Sequence, residues 1–200
     1  MVNEVQDHYF RMAKKDGYPA RSVYKLEEAD QKYKILQKAD KVLDLGCQPG
    51  SWSLYCARKL GPAGLVVGID LNQGKKISQT GKAKMVRLCG DIMEEETHEL
   101  LREMAPLYDV VLSDMAPRTT GNKWADQQQS LELSRMALAL AEQFLKPGGH
   151  FYCKVFEGED YKEYFRAVQK RFEFTKTVKP KSSRKESREV FVLGLKFKGK

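Results

Sequence analysis

The chain has 200 residues, enough for one domain with a substantial core, since a domain of this size buries roughly 70% of its unfolded surface. Its 42% apolar and 31% charged residues exclude general disorder, no run approaches the roughly 18 apolar residues of a membrane span, and the first eight residues lack signal-peptide character. The net charge of +8 is concentrated in residues 171–200, where ten Lys or Arg stand against three Glu; such a patch suits a polyanion, nucleic acid or an acidic membrane face, unless it is a solvated tail.

In chain order, the first forty residues carry nearly balanced charge and predict helices around Glu4–Lys15 and Ser22–Tyr33, broken at Gly17 and Pro19. They read as an N-terminal extension (1–40) of a single domain whose core is 41–200. Strands are expected at Lys41–Leu45, Leu65–Asp70, Lys84–Cys89, Tyr108–Ser113, His150–Val155 and Glu189–Leu195, each near-continuously apolar, as in strands buried on both faces. Between them, Ser51–Leu60, Glu94–Met104 and Tyr161–Arg171 predict crossover helices. Leu133, Met136, Ala137, Leu140, Ala141 and Phe144 mark the core stripe of a longer one, with Asp126 and Gln129 as its capping box and Pro147-Gly148-Gly149 as its stop. Strand and helix in alternation make a doubly wound, mostly parallel α/β sheet.

Ligands of such sheets bind beyond the carboxyl ends of the strands. The first strand ends in Asp44-Leu45-Gly46-Cys47-Gln48-Pro49-Gly50-Ser51-Trp52, a glycine turn entering a helix, with neither G-x-G-x-x-G nor G-x-x-x-x-G-K-[ST] spacing. The second and third strands end in Asp70 and Asp91, placed to accept from a ribose and from an adenine amino group. A phosphate-free nucleoside held by carboxylates and a glycine turn suits S-adenosylmethionine; the bland alternative is that each Asp caps the next helix.

The fourth strand ends in Asp114-Met115-Ala116-Pro117. It is neither the D-P-P-[YFW] sequence of amino-group methylation nor the Cys dipeptide of pyrimidine-ring methylation, which favours an oxygen acceptor. Four scattered cysteines and three distant histidines suggest neither a metal site nor a disulfide framework, so deprotonation falls to a side-chain base. Lys154 lies in a strand where a lysine is costly unless paired; Lys25 and Glu189, taken singly, read as surface charges.

Together, Arg21-Ser22-Val23-Tyr24-Lys25-Leu26, the turn Asp44–Ser53, Asp114-Met115-Ala116-Pro117, Lys154-Val155-Phe156 and Ser187-Arg188-Glu189 resemble the signatures of the FtsJ-type ribose 2′-O-methyltransferases, in order and over nearly the whole chain. The resemblance implies a seven-stranded Rossmann-like methyltransferase fold and a catalytic tetrad of Lys25, Asp114, Lys154 and Glu189. It also implies S-adenosylmethionine as cofactor, held by Gly46, Gly50, Trp52, Asp70, Asp91 and Asp114. Cys47-Gln48 departs from the two small residues usual in that family. The implied substrate is structured RNA, foremost a uridine of large-subunit ribosomal RNA, within a cytoplasmic and monomeric protein. Transfer RNA, or a role as a catalytically silent assembly factor, are the alternatives.

A lysine base must lose its proton, and Lys25 as a neighbouring cation, together with burial, is expected to help Lys154 do so, with Glu189 orienting one lysine. The segment Lys179–Arg188, with five cations, a proline and three serines, predicts an exposed loop beside Glu189. Lys179, Lys181, Arg184, Lys185 and Arg188, with Lys14, Lys15 and Arg21 on the opposite rim, are the candidate RNA contacts.

Overall fold

The computed structural model describes residues 2–74, 80–184 and 186–199, with side chains from His8 onward. After two helices, α1 (Val2–Lys15) and α2 (Val23–Tyr33), strands and helices alternate: β1 (Lys41–Leu45), α3 (Ser51–Lys59), β2 (Leu65–Asp70), β3 (Lys84–Cys89), α4 (Glu95–Met104), β4 (Tyr108–Ser113), α5 (Lys123–Phe144), β5 (Leu145–Phe156), α6 (Tyr161–Arg171), β6 (Phe172–Val178) and β7 (Glu189–Phe197). The seven strands form one sheet in the order β3-β2-β1-β4-β5-β7-β6, parallel except for β7, which runs antiparallel to both neighbours. Strand order reverses at β1, which pairs with β2 on one side and β4 on the other, and this opens a crevice at their carboxyl ends.

Two cores cover the sheet. One face packs Leu101 of α4, Leu131, Ala137, Leu140 and Phe144 of α5, and Tyr164 and Val168 of α6. The other packs Ala13 of α1, Val23, Leu26 and Ala29 of α2, and Trp52, Tyr55 and Cys56 of α3. The N-terminal extension is therefore part of this second layer. It is also tied down by polar contacts: Ala20 N donates to Ser51 Oγ, Trp52 Nε1 to Ser22 O, and Arg58 to the carbonyl of Asp16.

Three expectations need correction. Helix α5 begins at Lys123, capped by Asn122, whose side chain accepts from the amides of Trp124 and Ala125. Asp126 instead sits one turn inside, accepting from the amides of Thr120 and Gly121, so it braces the preceding loop. The helix stops at Phe144, and Pro147-Gly148-Gly149 falls in an irregularity of β5 between the pairs Tyr108–Leu145 and Val110–His150. β3 is an edge strand, exposed at both ends and half-buried between, so its apolar run does not mark burial on both faces. The seventh strand, β6, was not legible as an element. Its alternation Phe-Glu-Phe-Thr-Lys-Thr-Val is the half-exposed pattern of an edge strand, which a search for apolar runs passes over.

Candidate functional site

The site lies where β1 and β4 end. Leu45 and Ser113 are register partners, so the glycine turn after β1 and Asp114 after β4 emerge side by side. Gly46 (φ +69°) approaches Met115 so closely that a Cβ would lie 2.5 Å from Met115 Cγ; only glycine gives both the backbone angle and the clearance. Gly50 (φ +108°) occupies the N-cap position of α3 and supplies no side chain of its own there. The indole of Trp52, by contrast, is 3% exposed and packs on Tyr152 and Phe191, so at this turn Trp52 presents backbone rather than ring.

Three carboxylates meet at this crevice. Asp70 Oδ2 accepts from Gln48 N (3.1 Å) and its Oδ1 from Asn72 N (3.0 Å), which pins the turn to the end of β2 while leaving lone pairs for further donors. Asp44 is fully buried in β1; its Oδ2 accepts from Ser53 Oγ (2.6 Å), and its Oδ1 has no partner. Burial, with the charges of Asp114 and Asp70 adding to it, pushes the Asp44 carboxyl up to about 7. Asp91, after the edge strand, accepts from Met93 N (2.9 Å). Leu71 and Met93, next to these acidic strand ends, are 68% and 66% exposed. An orphaned buried acceptor, converging negative charge and bare apolar side chains fit a ligand that joins a cationic end to a nucleoside.

Gln48, where the sequence departs from the family pattern, donates from Nε2 to Asn72 O (2.9 Å) and packs on Gly74. The longer side chain thus reinforces the link between the turn and the segment after β2.

The other side of the crevice is built by β5 and β7. Ser113 pairs with Cys153, so Asp114 and Lys154 are the next residues along; Lys154 Nζ donates to Asp114 Oδ1 at 2.9 Å and to the Asp114 carbonyl. The Lys154 side chain is 5% exposed. Opposite Lys154 in the antiparallel ladder is Phe191, and opposite Phe156 is Glu189, so by the two-residue period all four share one face. Lys25, on the first turns of α2, lies against that face: its Nζ is 2.7 Å from Glu189 Oε2 and 5.7 Å from the centre of the Phe191 ring. Tyr152 Oη donates to the carbonyl of Lys25 (3.1 Å), fixing the helix to the sheet at that point.

The four tetrad candidates are thus joined as two ion pairs flanking Phe191. This differs in detail from the expectation of one lysine cation facing the other. The closest charged partner of each lysine is a carboxylate, as the cost of burying an unpaired ammonium requires.

The basic loop after β6 is irregular, as expected, yet it is anchored. Ser183 Oγ donates to Glu189 Oε1 (2.8 Å), and the amides of Lys181 and Ser182 donate to the carboxylate of Glu28 on α2. Lys179 Nζ donates to the carbonyls of Ser187 and Glu189, closing the loop on itself, so this cation is spent internally. Lys181, Arg184 and Arg188 are exposed, Lys14 and Lys15 are exposed at the end of α1, and Arg21 is half-buried; Lys185 lies outside the described residues. A cleft between α2 and β6, lined by Lys32, Lys176, Lys179 and Lys181 among others, continues the cationic surface. No group of three or more potential metal ligands, and no helix long and apolar enough to cross a membrane, occurs among the described residues.

From the sequence alone, Asp44 has no evident role beyond opening the glycine turn. A charged residue inside the apolar strand Val-Leu-Asp-Leu is the signal that marks it. Ser183 gave no signal, because its role depends on where the loop folds.

The family model described as FtsJ-like methyltransferase matches residues 18–197. A relative named ribosomal RNA large subunit methyltransferase E, from Desulfotalea psychrophila, is 50% identical over 197 residues, covering 98% of each chain. A protein of the same name from Desulfosudis oleivorans is 48% identical over 192 residues, covering 96% of this chain and 91% of its own. A solved structure from Plasmodium falciparum, described as a ribosomal RNA methyltransferase, superposes with a TM-score of 0.77 at 29% identity, over 92% of this chain and all of that one.

Proposed function

The chain belongs to the FtsJ-like methyltransferase family, and from that premise we propose that it methylates a ribose 2′-hydroxyl of large-subunit ribosomal RNA, with S-adenosylmethionine as methyl donor. The observation that carries this reading is the pairing of Lys154 with Asp114 (2.9 Å) beside the pairing of Lys25 with Glu189 (2.7 Å), at the carboxyl end of the sheet next to the glycine turn. The names of the relatives supply the class of RNA.

S-adenosylmethionine brings a methyl group on a positively charged sulfur, which needs only an aligned oxygen nucleophile. Gly46 and Gly50 shape the turn that would receive its methionine part, Asp70 and Asp91 are placed to accept from its ribose and adenine, and Asp114 supplies negative charge toward its cationic end. Lys154 holds the 2′-hydroxyl and takes its proton as the oxygen attacks, having first released its own. Asp114, hydrogen-bonded to Lys154 Nζ, keeps that side chain aimed at the crevice. Lys25 and Glu189 position the ribose, and because they satisfy each other they hold a fixed geometry before RNA arrives. Much of the rate then comes from alignment of oxygen, methyl and sulfur.

The experiment is methyl transfer from labelled S-adenosylmethionine to large ribosomal subunits isolated from cells lacking this protein, followed by mapping of 2′-O-methyl positions. A single new site in the large-subunit RNA is expected. Label in transfer RNA, or in a base rather than a ribose, would overturn the assignment.

A further inference from the structure

The loop between β4 and α5 is not used by the chemistry above, yet it leaves the site directly after Asp114. Residues 118–124, Arg-Thr-Thr-Gly-Asn-Lys-Trp, are all exposed, and Trp124 on the first turn of α5 is 65% exposed. Singly exposed apolar side chains are ordinary, so Trp124 stands out by its place rather than its exposure: it sits on an anchored turn, on the segment that leaves the site, between two cations.

It is fixed. Asn122 accepts from the amide of Trp124 itself (3.0 Å) and from that of Ala125, and Asp126 accepts from Thr120 and Gly121, so the loop is fastened on both sides of the indole. Its place is defined too. One helical turn on, Gln127 packs on Gly158 and Gln128 Nε2 donates to Asp160 Oδ2 (2.9 Å), while Ser130 Oγ accepts from Phe156 N (3.0 Å). Side chains at i+3 and i+4 share a helix face, so Trp124 lies on the face turned to the segment leaving β5, two residues beyond Lys154. Arg118 and Lys123 flank it with positive charge.

We propose that Trp124 is a stacking platform for an unpaired nucleobase of the substrate RNA adjacent to the methylated ribose, with Arg118 and Lys123 contacting the neighbouring phosphates. This rests on the reading of the protein as an RNA ribose methyltransferase. A flat indole with flanking cations suits a single-stranded or flipped-out base, since every base offers a stacking face and the phosphates supply the charge. The platform selects substrates whose target nucleotide sits in an unpaired segment and fixes the ribose for Lys154.

The chain has two tryptophans, and Trp52 is 3% exposed, so solvent-quenched fluorescence reports Trp124. The test titrates the protein with a single-stranded oligouridylate, which carries no indole, following acrylamide quenching in the wild type and in Trp124→Phe, and measures steady-state methyl transfer to unmodified large ribosomal subunits for Trp124→Phe and Trp124→Ala. Expected are protection of the wild-type indole by RNA that is absent in Trp124→Phe, a rise in KM for RNA of roughly five- to 150-fold in Trp124→Ala, the equivalent of losing one base stack, and near-complete rescue by Trp124→Phe. Affinity for S-adenosylmethionine and thermal stability should stay at wild-type values. Methylation by the wild type with no protection of its indole, or Trp124→Ala with an unchanged KM, overturns the platform alone. Absence of any RNA methylation by the wild type overturns the function on which it rests.

Discussion

Lys25 and Glu189 lie 164 positions apart in the chain and form an ion pair of 2.7 Å, each side chain 13% exposed. One comes from the N-terminal extension and the other from the first residue of β7, the strand antiparallel to β5. Because the pair is largely shielded from water, breaking it leaves a charge that solvent only partly recovers. Glu189→Gln and Lys25→Met should each lower stability by about 1–3 kcal/mol. The double variant should be less destabilised than the sum of the two, as for directly coupled residues. Urea unfolding of the four proteins measures this; strict additivity would show that the contact carries no energy.

The proposed role of Lys154 as base is separable from its charge. Arginine keeps a cation beside Asp114 but does not release a proton at any working pH. Lys154→Arg should therefore fold and bind S-adenosylmethionine normally while turnover falls by about 10²–10⁴-fold, the usual worth of a positioned base. Single-turnover methylation and calorimetry check the two halves. Turnover above about a tenth of wild type would remove Lys154 as the base.

Asp44 should make stability depend on pH in a direction opposite to that of most carboxylates. Its folded value is pushed up to about 7, above an unfolded value of about 3.9, because burial and the charges of Asp114 and Asp70 disfavour the ionised form. The protonated form is thus favoured by folding, so its contribution is full below pH ~4 and is lost as pH rises toward 7, at up to about 1.4 kcal/mol per pH unit. Asp44→Asn should abolish this component, leaving the ligand-free variant more stable than wild type at pH 8. Subtracting the two stability–pH profiles isolates Asp44, and parallel profiles would exclude the effect.

Charge reversal in the loop after β6 should act on RNA alone. Replacing Lys181, Arg184 and Lys185 with Glu should weaken RNA binding and flatten its log–log salt dependence by about 0.7–0.9 per lost phosphate contact. Calorimetry should show unchanged affinity for S-adenosylmethionine. Lys179→Ala should differ in kind, because its ammonium bonds the carbonyls of Ser187 and Glu189: the expected loss is of loop order and turnover more than of salt dependence. Filter binding across a salt series distinguishes them; an unaltered slope in the triple variant would place RNA on another face.

Local sequence determined the elements and much of the proposed cofactor site. Apolar runs ending in Asp70 and Asp91, and the glycine turn from Gly46 to Gly50, were legible because a parallel sheet places its ligands at strand ends, so chain order already implies position. Tertiary structure decided the rest. That Lys25 meets Glu189, that Lys154 meets Asp114, and that Ser183 reaches Glu189 depends on the antiparallel register of β5 and β7 and on the seating of α2 over Phe191. Taken singly, Lys25 and Glu189 read as ordinary surface charges, and only the family resemblance connected them. The edge strand β6 and the cap at Asn122 escaped for a related reason: a half-exposed strand and a loop braced by Asp126 take their form from what they pack against. Pairings between residues far apart in the chain are set by register and packing, and no local pattern of side chains encodes them.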